Sequence, residues 1–296
     1  MKKFKKTSFS GLLPPKMKIQ YGEEPYFFYK HGEYDMGKRS FFNRQTPAVA
    51  LLCNPEGLNQ AIALAMSAES DGADAVALEL GQFALEDRTP EKFRALIQSV
   101  PLPFMFIDYR NDRFLGADDE ARQKFLLMGA EAGAEVIDVM GDLYDPSPLE
   151  LTHDPAAIAK QKALIEQIHA AGAKVIMSSH MTTVERSAEE VLAHLREQSS
   201  RGADILKIVV GMDTEAAMLE GVRTLLLLHK ELEKPFVFLG AGRYNRFIRY
   251  IGPTLGAAIE FAVHDYLPAM TYRQPTIRSF KGVLENFHWN IDDLKA

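Results

Sequence analysis

Short apolar runs alternate with amphipathic segments from Pro47 almost to the end of the chain, a pattern that predicts repeated strand–helix units. Eight runs are candidate strands: AVALLCN, DAVALEL, PFMFIDY, EVIDVM, KVIMSSH, ILKIVVG, PFVFLGAG and AAIEFAVH. Helical segments such as AAIAKQKALIEQIHAAG and TEAAMLEGVRTLLLLHKEL lie between them. Glycines stand where four of these helices should end, as a left-handed cap requires: Gly72, Gly133, Gly172 and Gly202. The short connections that follow are typical of successive βαβ units.

Eight parallel strands with intervening helices, within roughly 250 residues, predict an α/β fold of the (β/α)8 TIM-barrel type. A doubly wound sheet is the alternative, but the turn after the first strand reads NPEG, which is not a dinucleotide-binding fingerprint. We assign residues 47–296 to the barrel. Residues 1–46 are an N-terminal extension rich in aromatic side chains, which we interpret as a hairpin that closes the bottom of the barrel. An aromatic ligand platform is the other interpretation of this extension.

Composition and charge exclude several classes of protein. The 296 residues are 47% hydrophobic and 25% charged, which is typical of a soluble globular enzyme. The net charge is −6 and the chain has no basic block beyond the first residues, so no basic surface for nucleic acid is expected. No apolar run is long enough for a membrane span. Cys53 is the sole cysteine, which fits a reducing compartment, so we expect a cytoplasmic protein.

Lys207 is a polar residue inside a predicted strand, and barrel enzymes place their reacting groups toward the carboxyl ends of strands. In ILKIVVG the period of two puts Ile205, Lys207 and Val209 on the face toward the barrel interior. Desolvation lowers the pKa of a lysine and makes a neutral amine available, and a neutral amine attacks ketones. Imine chemistry is one interpretation of Lys207, and a structural lysine buried against a carboxylate is the other.

His180 ends the preceding strand, KVIMSSH, and shares one face with Ser178. Neighbouring parallel strands lie about 4.8 Å apart, so the imidazole of His180 and the amine of Lys207 should reach the same substrate. A protonated imine makes the α-proton acidic, and a histidine can remove that proton and return it to a leaving hydroxyl. Histidines on the predicted helices are interpreted as structural: His169, His194 and His229.

The loop after the seventh strand reads GAGRYNRFIRYIG and offers Arg243, Arg246 and Arg249 for binding a carboxylate. Loops at this end of a barrel commonly bind anions, and one of the three arginines would suffice. For Arg243 and Arg246, a solvated basic helix face is an equally good interpretation. Glu79, at the end of DAVALEL, is the third polar strand residue of interest.

The segment VIMSSHMTTVERSAEEVLAHLREQSSRGADILKIVVGMD resembles the core of the type I 3-dehydroquinate dehydratases, where Ser-x-His ends strand 5 and Lys-Ile follows on strand 6. RYIGPTLGAAIEF is similar to that family's arginine-containing helix and following strand, and Gln274 stands where the family has a glutamine before the last helix. The resemblance covers roughly residues 47–290. It implies a Schiff base on Lys207, acid–base catalysis by His180, and a substrate carboxylate held by Arg249 and Gln274. It also implies a homodimer.

The sequence departs from the family pattern on two strands. On strand 2 the family's Asp-x-x-Glu-x-Arg becomes Asp74, Ala77 and Glu79, which reverses the local charge. Arg110 approximates the family's strand 3 arginine, although PFMFIDYR is one residue longer. In the family these groups hold substrate hydroxyls, so we expect altered recognition of the hydroxylated edge of the substrate.

These observations predict a hydro-lyase that forms an imine with 3-dehydroquinate or a related hydroxylated cyclic keto acid and eliminates water. Lys207 and His180 are the predicted catalytic residues, and the substrate-binding residues are Arg249, Gln274, Glu79 and Arg110. The imine itself is the electron sink, so the prediction includes no metal and no cofactor. The small-molecule keto acid is the expected partner, with neither nucleic acid nor membrane. The alternatives are a class I aldolase acting on a sugar-like keto acid and a noncatalytic ligand-binding barrel.

Overall fold

The protein is a (β/α)8 TIM barrel, as predicted, in a computed structural model that describes residues 39–42, 44–266 and 274–295. Its strands are β1 Ala48–Cys53, β2 Ala75–Glu79, β3 Phe104–Ile107, β4 Val136–Met140, β5 Lys174–Met181, β6 Ile205–Gly211, β7 Phe236–Ala241 and β8 Ile259–Ala262. They pair in parallel in the order β7-β6-β5-β4-β3-β2-β1-β8. The amide of Ala258 donates to the carbonyl of Phe236 at 2.8 Å and joins the start of β8 to β7.

Helices follow the strands, and their ends have the sequence signals that stop and start helices. They are α1 Leu58–Ser70, α2 Pro90–Ile97, α3 Asp119–Ala132, α4 Pro155–Ala170, α5 Ala188–Ser200, α6 Glu215–Glu231, α7 Asn245–Ile251 and α8 Ile277–Phe287. Side-chain oxygens of Asp118, Asp154 and Ser187 accept hydrogen bonds from the first turns of α3, α4 and α5. The four predicted cap glycines all have positive φ, between 85° and 109°.

The strands have a hydrophobic cluster on each face, one inside the barrel and one under the helices. Successive side chains of β6 alternate between these two clusters. Ile205 and Val209 belong to the cluster inside the barrel, whereas Leu206, Ile208 and Val210 belong to the cluster between strands and helices. Lys207 therefore points into the barrel, as the period of two predicts.

The predicted N-terminal hairpin lies almost wholly outside the described residues, and the division at residue 46 stays a prediction. Phe41, within the described part, packs in the inner cluster, and its amide donates to the Glu135 carboxylate at 3.0 Å. Glu135 precedes β4, so Phe41 lies at the amino-terminal end of the barrel. Within the described ranges, none of the helices has the length and apolarity needed to cross a bilayer.

Candidate active site

A pocket of about 440 Å³ opens at the carboxyl ends of the strands, where (β/α)8 barrels bind their ligands. Its polar lining consists of Glu79, Tyr109, His180, Thr182, Lys207, Asn245, Arg249 and Gln274. The structure therefore brings together five of the six residues proposed from the sequence. The sixth, Arg110, lies outside the pocket.

Lys207 is 4% exposed, and its amine contacts two groups deep in the pocket. Nζ donates to the Tyr109 hydroxyl at 2.8 Å and lies 3.3 Å from Oδ2 of Asp138. Asp138 is buried, accepts from the Tyr109 hydroxyl at 2.8 Å and accepts from the Ser178 hydroxyl at 2.5 Å. The carboxylate partner that the structural interpretation required is thus present. Asp138 is also a base that can take the ammonium proton, so the ion pair is compatible with imine chemistry.

The backbone of Lys207 is held from outside the barrel wall by Gln198 of α5. The Gln198 side chain accepts from the amide of Lys207 at 3.2 Å and donates to its carbonyl at 3.1 Å. The same side chain donates to the Ser179 hydroxyl at 3.2 Å. Gln198 is fully buried, so its side-chain amide fixes the backbone from which the Lys207 side chain extends.

His180 lies at the end of β5 and is oriented by Glu150. In the strand register Ser178 is level with Lys207, so His180 stands two residues further toward the mouth of the pocket. One Glu150 carboxylate oxygen accepts from the His180 amide at 2.6 Å and lies 3.2 Å from Nδ1 of the ring. A proton held on Nδ1 by this carboxylate leaves Nε2 as the basic nitrogen.

Glu150 comes from the loop after β4, where its backbone takes the left-handed conformation with φ of 47°. Burial raises the pKa of this carboxyl, but the hydrogen bonds and charge of His180 outweigh that effect and hold the pKa below its ordinary value. Glu150 is therefore a carboxylate at neutral pH and can stabilise a protonated His180.

Tyr109 places its ring between the two predicted catalytic side chains. Its ring centroid is 4.8 Å from that of His180 in an edge-to-face arrangement, and its hydroxyl contacts Lys207 and Asp138. Burial, together with the carboxylates of Asp138 and Glu79, raises the pKa of Tyr109 well above the ordinary value. Tyr109 is accordingly a neutral phenol in the pocket.

Arg249 and Gln274 line the side of the pocket formed by α7 and the segment before α8. Arg249 Nη1 donates to Glu260 at 2.8 Å, and Glu260 is 1% exposed. Two buried polar atoms, Nε of Arg249 and Oε1 of Gln274, have no hydrogen-bond partner among the described residues. Such groups are costly to leave unpaired, so they mark a place where a polar ligand group would bind.

Glu79 lines the pocket from the end of β2. Burial raises the pKa of Glu79 from 4.5 to about 7, the positive charge of Lys207 opposes this rise, and the charge of Asp138 adds to it. Glu79 can therefore donate or accept a hydrogen bond near neutral pH.

Arg110 is directed away from the pocket, and its guanidinium is engaged by two carboxylates. Asp119 of α3 and Asp142 of the loop after β4 each lie 2.9 Å from it. We therefore leave Arg110 out of the proposed substrate contacts. Arg243 and Arg246 line an adjoining cleft rather than this pocket.

Sequence reasoning missed Tyr109, Asp138 and Glu150. A period-2 signal was available for Tyr109, because Ile107 is an inward-facing residue of β3 and Tyr109 stands two positions later. Asp138 is a charged residue inside an otherwise apolar strand, the same signal that identified Lys207. No comparable signal exists for Glu150, which arrives from a loop.

These features define a class of protein: a (β/α)8 barrel whose central pocket holds an ion-paired lysine beside a carboxylate-bound histidine. Residues 55–290 match the family model of type I 3-dehydroquinase, and the chain belongs to this family.

Relatives support the same assignment. The 3-dehydroquinate dehydratase of Klebsiella pneumoniae subsp. pneumoniae is 28% identical over 221 residues, which cover 71% of this chain and 83% of that protein. The crystal structure of type I 3-dehydroquinate dehydratase from Clostridium difficile with covalently modified comenic acid covers 83% of this chain and 94% of its own, with 18% identity and a TM-score of 0.70. The 3-dehydroquinate dehydratase of Geobacillus kaustophilus covers 81% of this chain and 91% of its own, with 18% identity and a TM-score of 0.69. At that identity the two structures support the fold alone.

Proposed function

We propose that the protein is a hydro-lyase that eliminates water from 3-dehydroquinate, or from a related hydroxylated cyclic keto acid, through an imine on Lys207. The observation that carries the proposal is the placement of Lys207 and His180 on paired strands, β6 and β5, in one pocket of a type I 3-dehydroquinase barrel.

The reaction begins when the Lys207 amine adds to the substrate ketone and water leaves, which gives a protonated imine. His180 then removes the α-proton through Nε2, and the electron pair of the C–H bond forms an enamine. The enamine expels the β-hydroxyl, which leaves as water with the proton from His180. Hydrolysis of the product imine frees Lys207, so protons and electrons balance over the cycle. Glu150 stabilises the imidazolium formed midway.

Substrate recognition in this proposal uses the two sides of the pocket. The Nε of Arg249, which has no partner among the described residues, and the side-chain NH2 of Gln274 donate hydrogen bonds to the substrate carboxylate. Glu79, which lines the pocket from β2, receives a hydroxyl of the ring. This arrangement leaves the carbonyl over Lys207.

The test is borohydride trapping. Reduction of a mixture of protein and 3-dehydroquinate should add the mass of the reduced adduct to the wild type, with peptide mapping to Lys207. Lys207→Met should gain no adduct and should lose activity by at least about 1,000-fold, since the covalent step is removed. Lys124→Met, on the exposed surface of α3, is the matched control and should behave as wild type. A wild-type protein without adduct, or an adduct on Lys207→Met, would contradict the proposal.

Analysis of the product separates this reaction from aldol cleavage. A hydro-lyase gives a conjugated enone and no carbon fragments, whereas a class I aldolase gives two smaller carbonyl products. A cytoplasmic location and a homodimer are further parts of the proposal. The single cysteine, Cys53, agrees with a reducing compartment, and light scattering after gel filtration measures the oligomeric state.

A further inference from the structure

The Tyr109 hydroxyl is the group in contact with both the nucleophile and its buried counter-ion. It accepts from Nζ of Lys207 at 2.8 Å and donates to Oδ2 of Asp138 at 2.8 Å. The direct distance from Nζ to the same Asp138 oxygen is longer, 3.3 Å. A proton can therefore pass from Nζ to Asp138 along two short hydrogen bonds through the phenol, instead of along one long direct contact.

Formation of the imine requires proton transfers at this spot. The Lys207 ammonium must lose a proton before nitrogen can attack, and the carbonyl oxygen must gain two protons before it leaves as water. His180 is engaged at Nδ1 by Glu150 and stands two residues nearer the mouth of the pocket. A group that touches Nζ itself is better placed to move these protons.

We propose that Tyr109 is a catalytic residue that relays protons between Lys207, the substrate carbonyl oxygen and Asp138 during imine formation and hydrolysis. This role rests on the proposed imine chemistry of Lys207.

In the first half of the relay, Lys207 loses a proton and the carbinolamine forms. Asp138 takes one proton from the ammonium through the phenol, which accepts it from Nζ and passes its own proton on. Nitrogen then bonds to the carbonyl carbon, and the carbonyl π pair moves to oxygen. Tyr109 moves a proton from the new N–H to that oxygen, which gives the neutral carbinolamine.

In the second half, the nitrogen lone pair forms the C=N bond as the C–O bond breaks. The departing hydroxyl takes the proton stored on Asp138, again through Tyr109, and leaves as water. Tyr109 and Asp138 return to their starting states, and the protonated imine holds the original positive charge. Hydrolysis runs the same steps in reverse.

The surroundings of Tyr109 suit a relay rather than a permanent base. Burial and the nearby carboxylates keep the phenol protonated at rest by raising its pKa. A neutral hydroxyl can accept one proton while it donates another, whereas a phenolate could only accept. The edge-to-face contact with His180 and the bond to Asp138 fix the hydroxyl beside Nζ.

Tyr109→Phe tests the relay, because it removes the hydroxyl and keeps the ring that packs on His180. The measurement is the rate at which the adduct with 3-dehydroquinate appears, by rapid mixing, borohydride quench and mass spectrometry. We expect this rate to fall about 100-fold, the scale of general acid–base catalysis, while the final adduct fraction stays at the wild-type level. Tyr250→Phe, which removes a hydroxyl bonded to Ser279 outside the pocket, is the matched control and should keep the wild-type rate.

The outcomes separate the relay from the proposed function. A wild-type rate in Tyr109→Phe overturns the relay and leaves the imine mechanism standing. A folded Tyr109→Phe protein with a reduced final adduct fraction also overturns it, because the hydroxyl would then hold Lys207 in place rather than transfer protons. Absence of any adduct in the wild type refutes the imine mechanism itself, and the relay with it.

Discussion

Glu260 offers a quantitative test of the electrostatics around Arg249. Its carboxyl is 1% exposed and 2.8 Å from Arg249 Nη1. Burial raises the pKa of Glu260 from 4.5 to about 7, more than the charge and hydrogen bond of Arg249 lower it. The perturbation is Glu260→Gln, which keeps the shape of the side chain and removes the titration.

The expected magnitude follows from linkage. Because the pKa is raised on folding, the stability associated with neutral Glu260 is fully present below about pH 4.5 and is lost as the pH rises through about 7. Each unit of pKa corresponds to about 1.4 kcal/mol, so the loss for the wild type is about 3 kcal/mol. The variant has no such loss. The free energy of unfolding of Glu260→Gln, relative to wild type, should therefore rise by about 3 kcal/mol across this window.

Urea unfolding at pH values spaced from below 4.5 to above 7 measures this difference. Asp108 and Glu79 also have raised pKa values, but they are present in both proteins and cancel in the comparison. Glu131→Gln, on the exposed surface of α3, is the control and should give a constant difference. A constant difference for Glu260→Gln as well would mean that Arg249 fully compensates the buried charge, and the reasoning would be refuted.

Two further predictions concern residues around the pocket. In Gly141→Ala the new Cβ would lie 2.5 Å from the Glu150 carbonyl oxygen, so we expect a stability loss of about 1 to 3 kcal/mol and a lower kcat, measured by thermal unfolding and initial rates; unchanged values for both would contradict it. Arg110→Ala removes two ion pairs that lie outside the pocket, so stability should fall by about 1 to 2 kcal/mol with an unchanged KM; a large rise in KM would return Arg110 to the substrate site.

The direction of strand side chains is a local property, and the sequence predicted it well. Lys207, His180 and Glu79 all line the pocket because inward-facing residues alternate along a strand and carboxyl ends of parallel strands meet at one end of the barrel. The alternation of side chains along β3 also explains why Arg110 lies outside the pocket. Ile107 and Tyr109 face inward, so the next residue, Arg110, turns outward to Asp119 of α3 and Asp142 of the loop after β4.

Loop positions could not be predicted in this way. Glu150 reaches His180 because the chain between β4 and α4 folds back through a left-handed residue, and no periodic pattern encodes that path. Arg249 and Glu260 are 11 positions apart, but their pairing depends on the turn that leads from α7 into β8, and no periodic pattern encodes that turn. The family resemblance supplied the role of Arg249, but not the carboxylate beside it.

The amide of Gln198 has a consequence for how the site tolerates change. Its side chain is hydrogen-bonded to the backbone N–H and C=O of Lys207 from α5, a helix with no residue in the lining of the pocket. Substitutions on α5 that move the Gln198 amide would displace the Lys207 amine, although the sequence of the pocket lining would be unchanged. Loss of turnover in such a protein would come from the lost hydrogen bonds between α5 and β6, and not from any change in the residues that line the pocket.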